Sequence, residues 1–421
     1  MKEDFKDSLE KLYGSDPDTI AFHKKRYEHV VEMYKENFED TSHELRFFSA
    51  PGRTEIAGNH TDHELGKVIA SSVHLDLIAA CQKRDDNKVN LISEGYSGIG
   101  VIDLDDIAYD PNDKSRTRQL IKGVAQGIKN LGYNIAGFNC YTTSLVPSGS
   151  GLSSSAAFEV LVLTIFNYLY NEGKITPFEE AKIGKFAENT YFSKPSGLLD
   201  QTACATGGVV AIDFKNEDKP EIKKLDLDLK DYGYQMVITR TDEGHVDLTD
   251  AYAAIPEEMQ SIAKYFGKDV LGQVDPQDFY RELPLLKQKF ADRAILRTIH
   301  FFTEEERTVK EIACLENKDF QGFLDLVNES GYSSETQLQN VRLSGSVEHQ
   351  EASLALALSR LFFKKNDLKA ACRIHGGGFG GTIQAYVPTD YTEDYMKLMD
   401  SVFGEDAANI IAIRDYGGFE L

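Results

Sequence analysis

The chain has 421 residues, 41% of them hydrophobic and 27% charged, which allows a substantial core and, as a prior, two or three ordinary domains. Its formal net charge of −22 makes nucleic acid and anionic membrane poor partners, so a phosphate ligand has to be held by backbone N–H groups, a local cation or a metal ion. No run of 18 apolar residues predicts a transmembrane helix. The charged start MKEDFKDSLEKLYG lacks the apolar stretch of a signal peptide. The five cysteines, Cys81, Cys140, Cys204, Cys314 and Cys372, are scattered without a CxxC pair, so neither a zinc site nor a disulfide framework is indicated. The chain reads as reduced and cytoplasmic.

In chain order, DTIAFHKKRYEHVVEMYKENF (18–38) carries apolar residues at helical spacing and predicts an amphipathic helix. Strand signals follow at RFFSAP, KVIASSVHLDLIAACQ and KVNLISE, then a helix at RTRQLIKGVAQGIKNLGY that stops at a glycine. FNCYTTSLV is a strand. PSGSGLSSSAAFEVLVLTIFNYLYNEG is a Gly/Ser loop running into a strongly apolar helix, FEEAKIGKFAENTYF a further helix, and GGVVAIDF and YQMVITR are strands. From about residue 255 the pattern is mostly helical until ACRIHGGGFGGTIQAYVP. Strands and helices mix without strict βαβ alternation, which predicts an α+β class in both halves. The boundary falls near residues 215–235, giving an N-terminal domain over 1–225 and a C-terminal domain over 226–421.

Four stretches carry candidate chemistry. APGRTEIAGNHTDH (50–63) sets an arginine, a glutamate, an asparagine, two histidines and an aspartate among small residues. His60 and His63 flank Asp62, but no second cluster with ligand spacing accompanies them, so hydrogen bonding to a polar ligand is favoured over a metal. PSGSGLSSSAA (147–157) places glycines and three serines where a helix starts. Free N–H groups and the positive end of the helix dipole there suit a phosphate, against a plain turn with serine caps. The loop is not a Walker A sequence, because no GK[ST] follows. RIHGGGFGGT (373–382) implies close backbone packing or a tight hairpin; an esterase oxyanion loop would need a G-x-S-x-G elbow, which is absent. SGLLDQTAC (196–204) sets Asp200 in apolar surroundings, where a carboxylate is either a satisfied structural group or a catalytic one.

Together these stretches resemble the galactokinase family of the GHMP kinases. APGRTEIAGNHTDH is similar to its sugar-binding signature, PSGSGLSSSAA to its phosphate loop and RIHGGGFGGT to its third glycine motif, in matching order over roughly residues 44–415. The resemblance implies an α+β two-domain GHMP kinase fold: a ribosomal protein S5 domain 2-like N-terminal domain, a ferredoxin-like C-terminal domain, and a site in the cleft between them. It implies a sugar 1-kinase that moves the ATP γ-phosphate to the anomeric hydroxyl of galactose with Mg2+.

Residue by residue, the resemblance makes Asp200 the aspartate beside the sugar O1, as base or electrostatic orienter, and Arg53 its partner. Gly149, Ser150, Gly151, Leu152, Ser153, Ser154 and Ser155 would wrap the ATP phosphates, with Ser155 and Glu188 as Mg2+ ligands. Arg53, Asn59, His60, Asp62, Gly197, Asp200 and Tyr252 would line the sugar, Tyr252 through the looser match HVDLTDAY (245–252). Two positions depart from the family: Asn59 stands where Glu is usual, and His63 where Tyr is usual. An Asn at the C6 end of the sugar keeps galactose possible and tolerates galacturonate, although no cation stands beside it to read a carboxylate. A non-catalytic sugar and ATP sensor on the same fold is the other-class alternative; the presence of Asp200, Arg53 and the glycine loop favours the enzyme. The expected partners are a small sugar and ATP, with no nucleic acid or membrane, and the expected state is a monomer.

Overall fold

A computed structural model of the protein describes residues 3–39, 42–147, 149, 151–192, 197–216, 218–241, 248–379 and 381–421. Two helices open the chain, α1 (Glu3–Tyr13) and α2 (Pro17–Asn37). The Asp16 carboxylate caps α2 by accepting from the Thr19 N–H, and Pro17 occupies the first turn, where a missing N–H costs nothing. Strand β1 (Arg46–Ala57) is followed by β2 (Lys67–Lys83), β3 (Lys88–Ser93), β4 (Val101–Asp103), α3 (Arg116–Asn130), β5 (Phe138–Ser144), α4 (Ser154–Tyr170), α5 (Pro177–Thr190), α6 (Leu199–Thr206), β6 (Val209–Asp213) and β7 (Glu221–Leu225).

These strands form one sheet. β2 is long enough to serve two partners on one side, β6 along Lys67–Ser71 and β5 along Leu77–Lys83, while β1 pairs along its other edge. Its side chains alternate between faces. Val73, Leu77, Ala79 and Cys81 enter the main core with α4, and Ile78 and Ala80 face Tyr27, Val30 and Tyr34 of α2. Helix α4 is apolar all round and accordingly buried from Ala156 to Asn167.

The second half contains β8 (Tyr234–Arg240), α7 (Thr249–Tyr265), α8 (Pro276–Lys289), α9 (Asp292–Glu316), α10 (Phe320–Ser333), α11 (Glu351–Lys365), β9 (Ala371–Ile374), β10 (Thr382–Pro388), α12 (Thr389–Phe403) and β11 (Ala408–Ile411). Its strands form an antiparallel sheet in the order β11-β8-β10-β9. With the helices between them, this is the βαββαβ arrangement expected of a ferredoxin-like unit. Ile383, Ala385 and Val387 pack with Tyr395 and Met399 beneath it.

Two features differ from the expectation. The strand signal RFFSAP runs on through Ala57, because register shifts at Pro51/Arg53 and Glu55/Ala57 absorb the proline and glycine, and the second half of the molecule buries the polar run. Residues 414–420, expected with the second half, return to the first sheet. There β12 (Phe419–Glu420) pairs with β1, and Arg46 holds Glu420 in an ion pair.

Arg414 reaches further, to Asp76 on β2. That buried carboxylate accepts from Arg26 at 2.8 Å, Arg414 at 2.9 Å, and the Ser49 and Tyr13 hydroxyls at 2.5 Å each. Burial alone would raise this carboxyl, but Arg26 and then Arg414 hold it well below the usual carboxylate range.

Candidate active site

The two bulges in β1 determine what its polar run can reach. At the first, Gly52 lies so close to the phosphate loop that an added Cβ would stand 2.8 Å from the Leu152 carbonyl, and the Arg53 N–H donates to that same carbonyl at 3.1 Å. The Arg53 side chain then donates through Nε to Asp200 Oδ1 at 2.7 Å and through Nη1 to the Gly151 carbonyl. Burial opposes the Arg53 charge, yet Asp200 more than offsets it and holds the guanidinium above its ordinary pKa. Asp200 sits in the first turn of α6, where the helix dipole favours a carboxylate, and its side chain is 25% exposed. Its other oxygen accepts from the Ser153 hydroxyl at 2.5 Å.

Ser153 immediately precedes α4 in a left-handed conformation (φ 55°) and spends its hydroxyl on Asp200 instead of capping the helix. Gly151 is also left-handed, and a Cβ there would meet Thr382 Oγ1 at 2.8 Å and His375 Nδ1 at 2.9 Å. The phosphate loop thus packs on the third glycine motif. Gly149 is exposed with open space around it, Ser154 opens α4, and Leu152 is a core side chain whose backbone alone faces the loop. Ser150 lies outside the described residues.

In the first turn of α4, the Ser155 hydroxyl donates to Glu188 Oε1 at 2.8 Å, and Gln201 Nε2 donates to Glu188 Oε2 at 3.0 Å and to Glu159 Oε2 at 3.1 Å. Sequence reasoning missed Gln201 and Glu159. The available signal was a single acid inside the apolar stretch SSAAFEVLVL of α4. A hydroxyl beside a carboxylate suits a hard cation that brings its remaining oxygen ligands with it. Among the described residues no group of three or more His, Cys, Asp or Glu side chains is placed to hold an ion by itself. The donor set therefore fits Mg2+ arriving with a nucleotide.

Asp62 stands over Gly197, where an added Cβ would lie 2.5 Å from its Oδ2. His63 is 38% exposed, with Nε2 4.0 Å from Asp62 Oδ1. His60 adopts φ 63° and places Nε2 2.9 Å from the Gly377 carbonyl. Burial drives its pKa down to about 3, so the ring is neutral near pH 7. Tyr252 comes from α7, donates its hydroxyl to the Gly378 carbonyl at 3.1 Å, and lays its ring against Gly377 and Phe379. The first three residues of the HVDLTDAY segment that led to Tyr252, residues 245–247, lie outside the described residues.

Asn59 is the exception. The sequence expectation turns it toward the C6 end of a sugar. In the structure its side chain is wholly buried and donates to Glu55 Oε1 at 3.0 Å and to the Gly376 carbonyl at 2.8 Å. The reason is Arg373, which fixes Glu55 from the third glycine motif and offers Asn59 an inward acceptor.

Known proteins match this chain along most of its length. The family model for the N-terminal domain of GHMP kinases matches residues 119–208, and the galactokinase galactose-binding signature matches residues 32–83. The galactokinase of Streptococcus suis is 28% identical over 388 residues, 89% of this chain and 94% of that protein. The galactokinase of Lactococcus lactis is 27% identical over 382 residues, 89% and 91% of the two chains. The crystal structure of Lactococcus lactis galactokinase complexed with galactose superposes with a TM-score of 0.78 at 26% identity, covering 94% of this chain and all of that one. Mevalonate kinase of Methanococcus jannaschii shares the fold, with a TM-score of 0.61 at 15% identity over 89% of this chain and 99% of its own.

Proposed function

We propose that this chain, which belongs to the galactokinase family of the GHMP kinases, transfers the γ-phosphoryl group of ATP to the anomeric hydroxyl of galactose, giving galactose 1-phosphate and ADP. The observation that carries the reading is the Arg53–Asp200 pair at 2.7 Å, reached by Ser153 from the phosphate loop. Phosphoryl transfer asks little covalent chemistry of a protein; it asks for positioning and for neutralisation of the moving charge. Asp200 accepts the hydrogen bond of the attacking sugar hydroxyl and orients or deprotonates it. Arg53 keeps Asp200 ionised and faces the charge that develops on the transferring group. Backbone N–H groups of Gly149 and of Gly151–Ser155, at the N-terminus of α4, cradle the ATP phosphates.

Ser155 and Glu188 would hold Mg2+ carried with the nucleotide, which would neutralise phosphate charge. Asp62, His60, Gly197 and Tyr252 form the wall on which the sugar rests, in the cleft between residues 1–225 and 226–421. No helix among the described residues is long and apolar enough to cross a membrane. Five free cysteines, four of them buried, suit a reducing cytoplasm, where we place the enzyme as a monomer.

The galacturonate alternative rested on Asn59 as a C6 reader, and its amide donors are committed to protein acceptors. The sensor alternative lacks the lost catalytic group that would distinguish it. The test is ATP- and sugar-dependent ADP release with galactose, galacturonate, N-acetylgalactosamine, glucose and arabinose. The highest kcat/KM is expected for galactose; turnover no faster than the sugar-free background with all five would sink the kinase reading.

A further inference from the structure

We infer that Asn59 is a positioning residue, which fixes the Gly376–Phe379 loop on which His60 and Tyr252 are registered, and does not itself read the substrate. The inference rests on the kinase reading for its consequence, and on hydrogen-bond geometry for its substance. A side-chain amide offers two N–H donors and two acceptor lone pairs. Asn59 uses all four: its Nδ2 donates to Glu55 and to the Gly376 carbonyl, and its Oδ1 accepts from Asn340 Nδ2 at 2.8 Å and from Ser334 Oγ at 3.3 Å. Its backbone carbonyl lies 3.0 Å from His300 Nε2 on α9. Strand β1, α9, the segment after α10 and the third glycine motif thus meet at one buried side chain.

The loop needs such a clamp. Gly376, Gly378 and Phe379 have φ of 62°, 89° and 61°, a left-handed conformation that the non-glycine Phe379 adopts at a cost. The three successive carbonyls at 376, 377 and 378 each face a side-chain donor: Asn59, then His60 together with Asn340, then Tyr252. His60 and Tyr252 are therefore seated on carbonyls whose direction Asn59 sets. A carboxylate in place of the amide has no N–H for the Gly376 carbonyl, and would stand against the Glu55 carboxylate inside the protein. Asn59 occupies a position where only an amide satisfies all its neighbours.

The experiment compares Asn59→Asp with wild type on galactose and on 6-deoxygalactose. It also follows hydrogen exchange of the amides at 376–382 without substrate. If Asn59 positions the loop, N59D lowers kcat/KM for both sugars by the same factor, about tenfold or more, mainly through KM, and speeds exchange in the loop. The double variant N59D/E55Q restores a donor between the two positions, and recovers part of both losses with either sugar. A change of more than about threefold in the ratio between the two sugars means Asn59 reads carbon six directly, and overturns the inference. Wild-type kinetics together with wild-type exchange also overturns it. Should N59D fail to fold, Asn340→Asp removes a donor to Asn59 and to the Gly377 carbonyl while leaving Asn59 in place, and the same pair of outcomes decides. If wild type phosphorylates neither sugar, the kinase reading fails, and the exchange arm alone decides the role of Asn59.

Discussion

Asp76 and Asp200 are both aspartates facing arginine, and their surroundings set them to different work. Asp76 is wholly buried, between two guanidiniums and two hydroxyls. Its charge is over-matched, which makes it a fastening between α2, β1, β2 and the segment after β11. Among the described residues Asp200 faces Arg53 and the Ser153 hydroxyl, with a quarter of its side chain exposed. That opening lets it accept a hydrogen bond from an incoming hydroxyl. The difference lies in access, since the pairing chemistry is the same. A fully buried acid between two cations has been neutralised for stability, and a quarter-open one beside Arg53 is held ready.

The sharpest way to break this comparison is to delete each acid. Asp200→Ala should lower kcat by about a thousandfold or more while melting within a few degrees of wild type; kinase assay and thermal unfolding together read both. Near-normal turnover would remove Asp200 from the mechanism. Asp76→Asn should do the opposite, losing roughly 3–5 kcal/mol of stability because two buried arginines lose their counter-charge, with kcat/KM of the folded fraction unchanged.

The pH dependence sharpens the contrast. The folded Asp76 carboxyl is held below its unfolded value, so its stabilisation is complete above about pH 4 and is lost as pH falls through the folded pKa. The stability gap between wild type and D76N, measured by denaturant unfolding, should be flat from about pH 5 to 8 and narrow below about pH 4; a gap that widens on acidification would refute the assignment. The smallest effect is expected around Glu188. Gln201→Leu removes the amide that steadies this carboxylate, and should weaken Mn2+ binding in the presence of a non-hydrolysable ATP analogue about tenfold, read by titration calorimetry. Unchanged affinity would make Gln201 a packing residue.

The sequence carried the local patterns well. The helix expected over 18–38 is α2, and the Gly/Ser loop does run into a buried helix. The four stretches meet because their glycines permit it: Gly52 against Leu152, Gly151 against His375, Gly197 against Asp62. What stayed hidden depends on partners far away in the chain. VHLDLIAA and SGLLDQTAC each show one acid among apolar neighbours, and nothing local tells that Asp76 meets Arg414 whereas Asp200 meets Arg53. Asn59 read as a ligand group for the same reason: the acceptor that turns it inward, Glu55, is fixed by Arg373, 318 positions on. Eight-residue α6 was equally hard to read, being too short to show a helical period.

The return of residues 414–420 to the first sheet also sets a translation clock. β1 meets β12 through Phe48 and Glu420, and Asp76 waits for its second arginine across 338 positions of chain. At roughly 5–20 residues per second, a ribosome exposes β1 about 20–70 s before its edge partner emerges. During that interval the N-terminal sheet stands with an open strand edge and a half-neutralised aspartate. The first sheet to be synthesised is thus among the last parts of the fold to be finished.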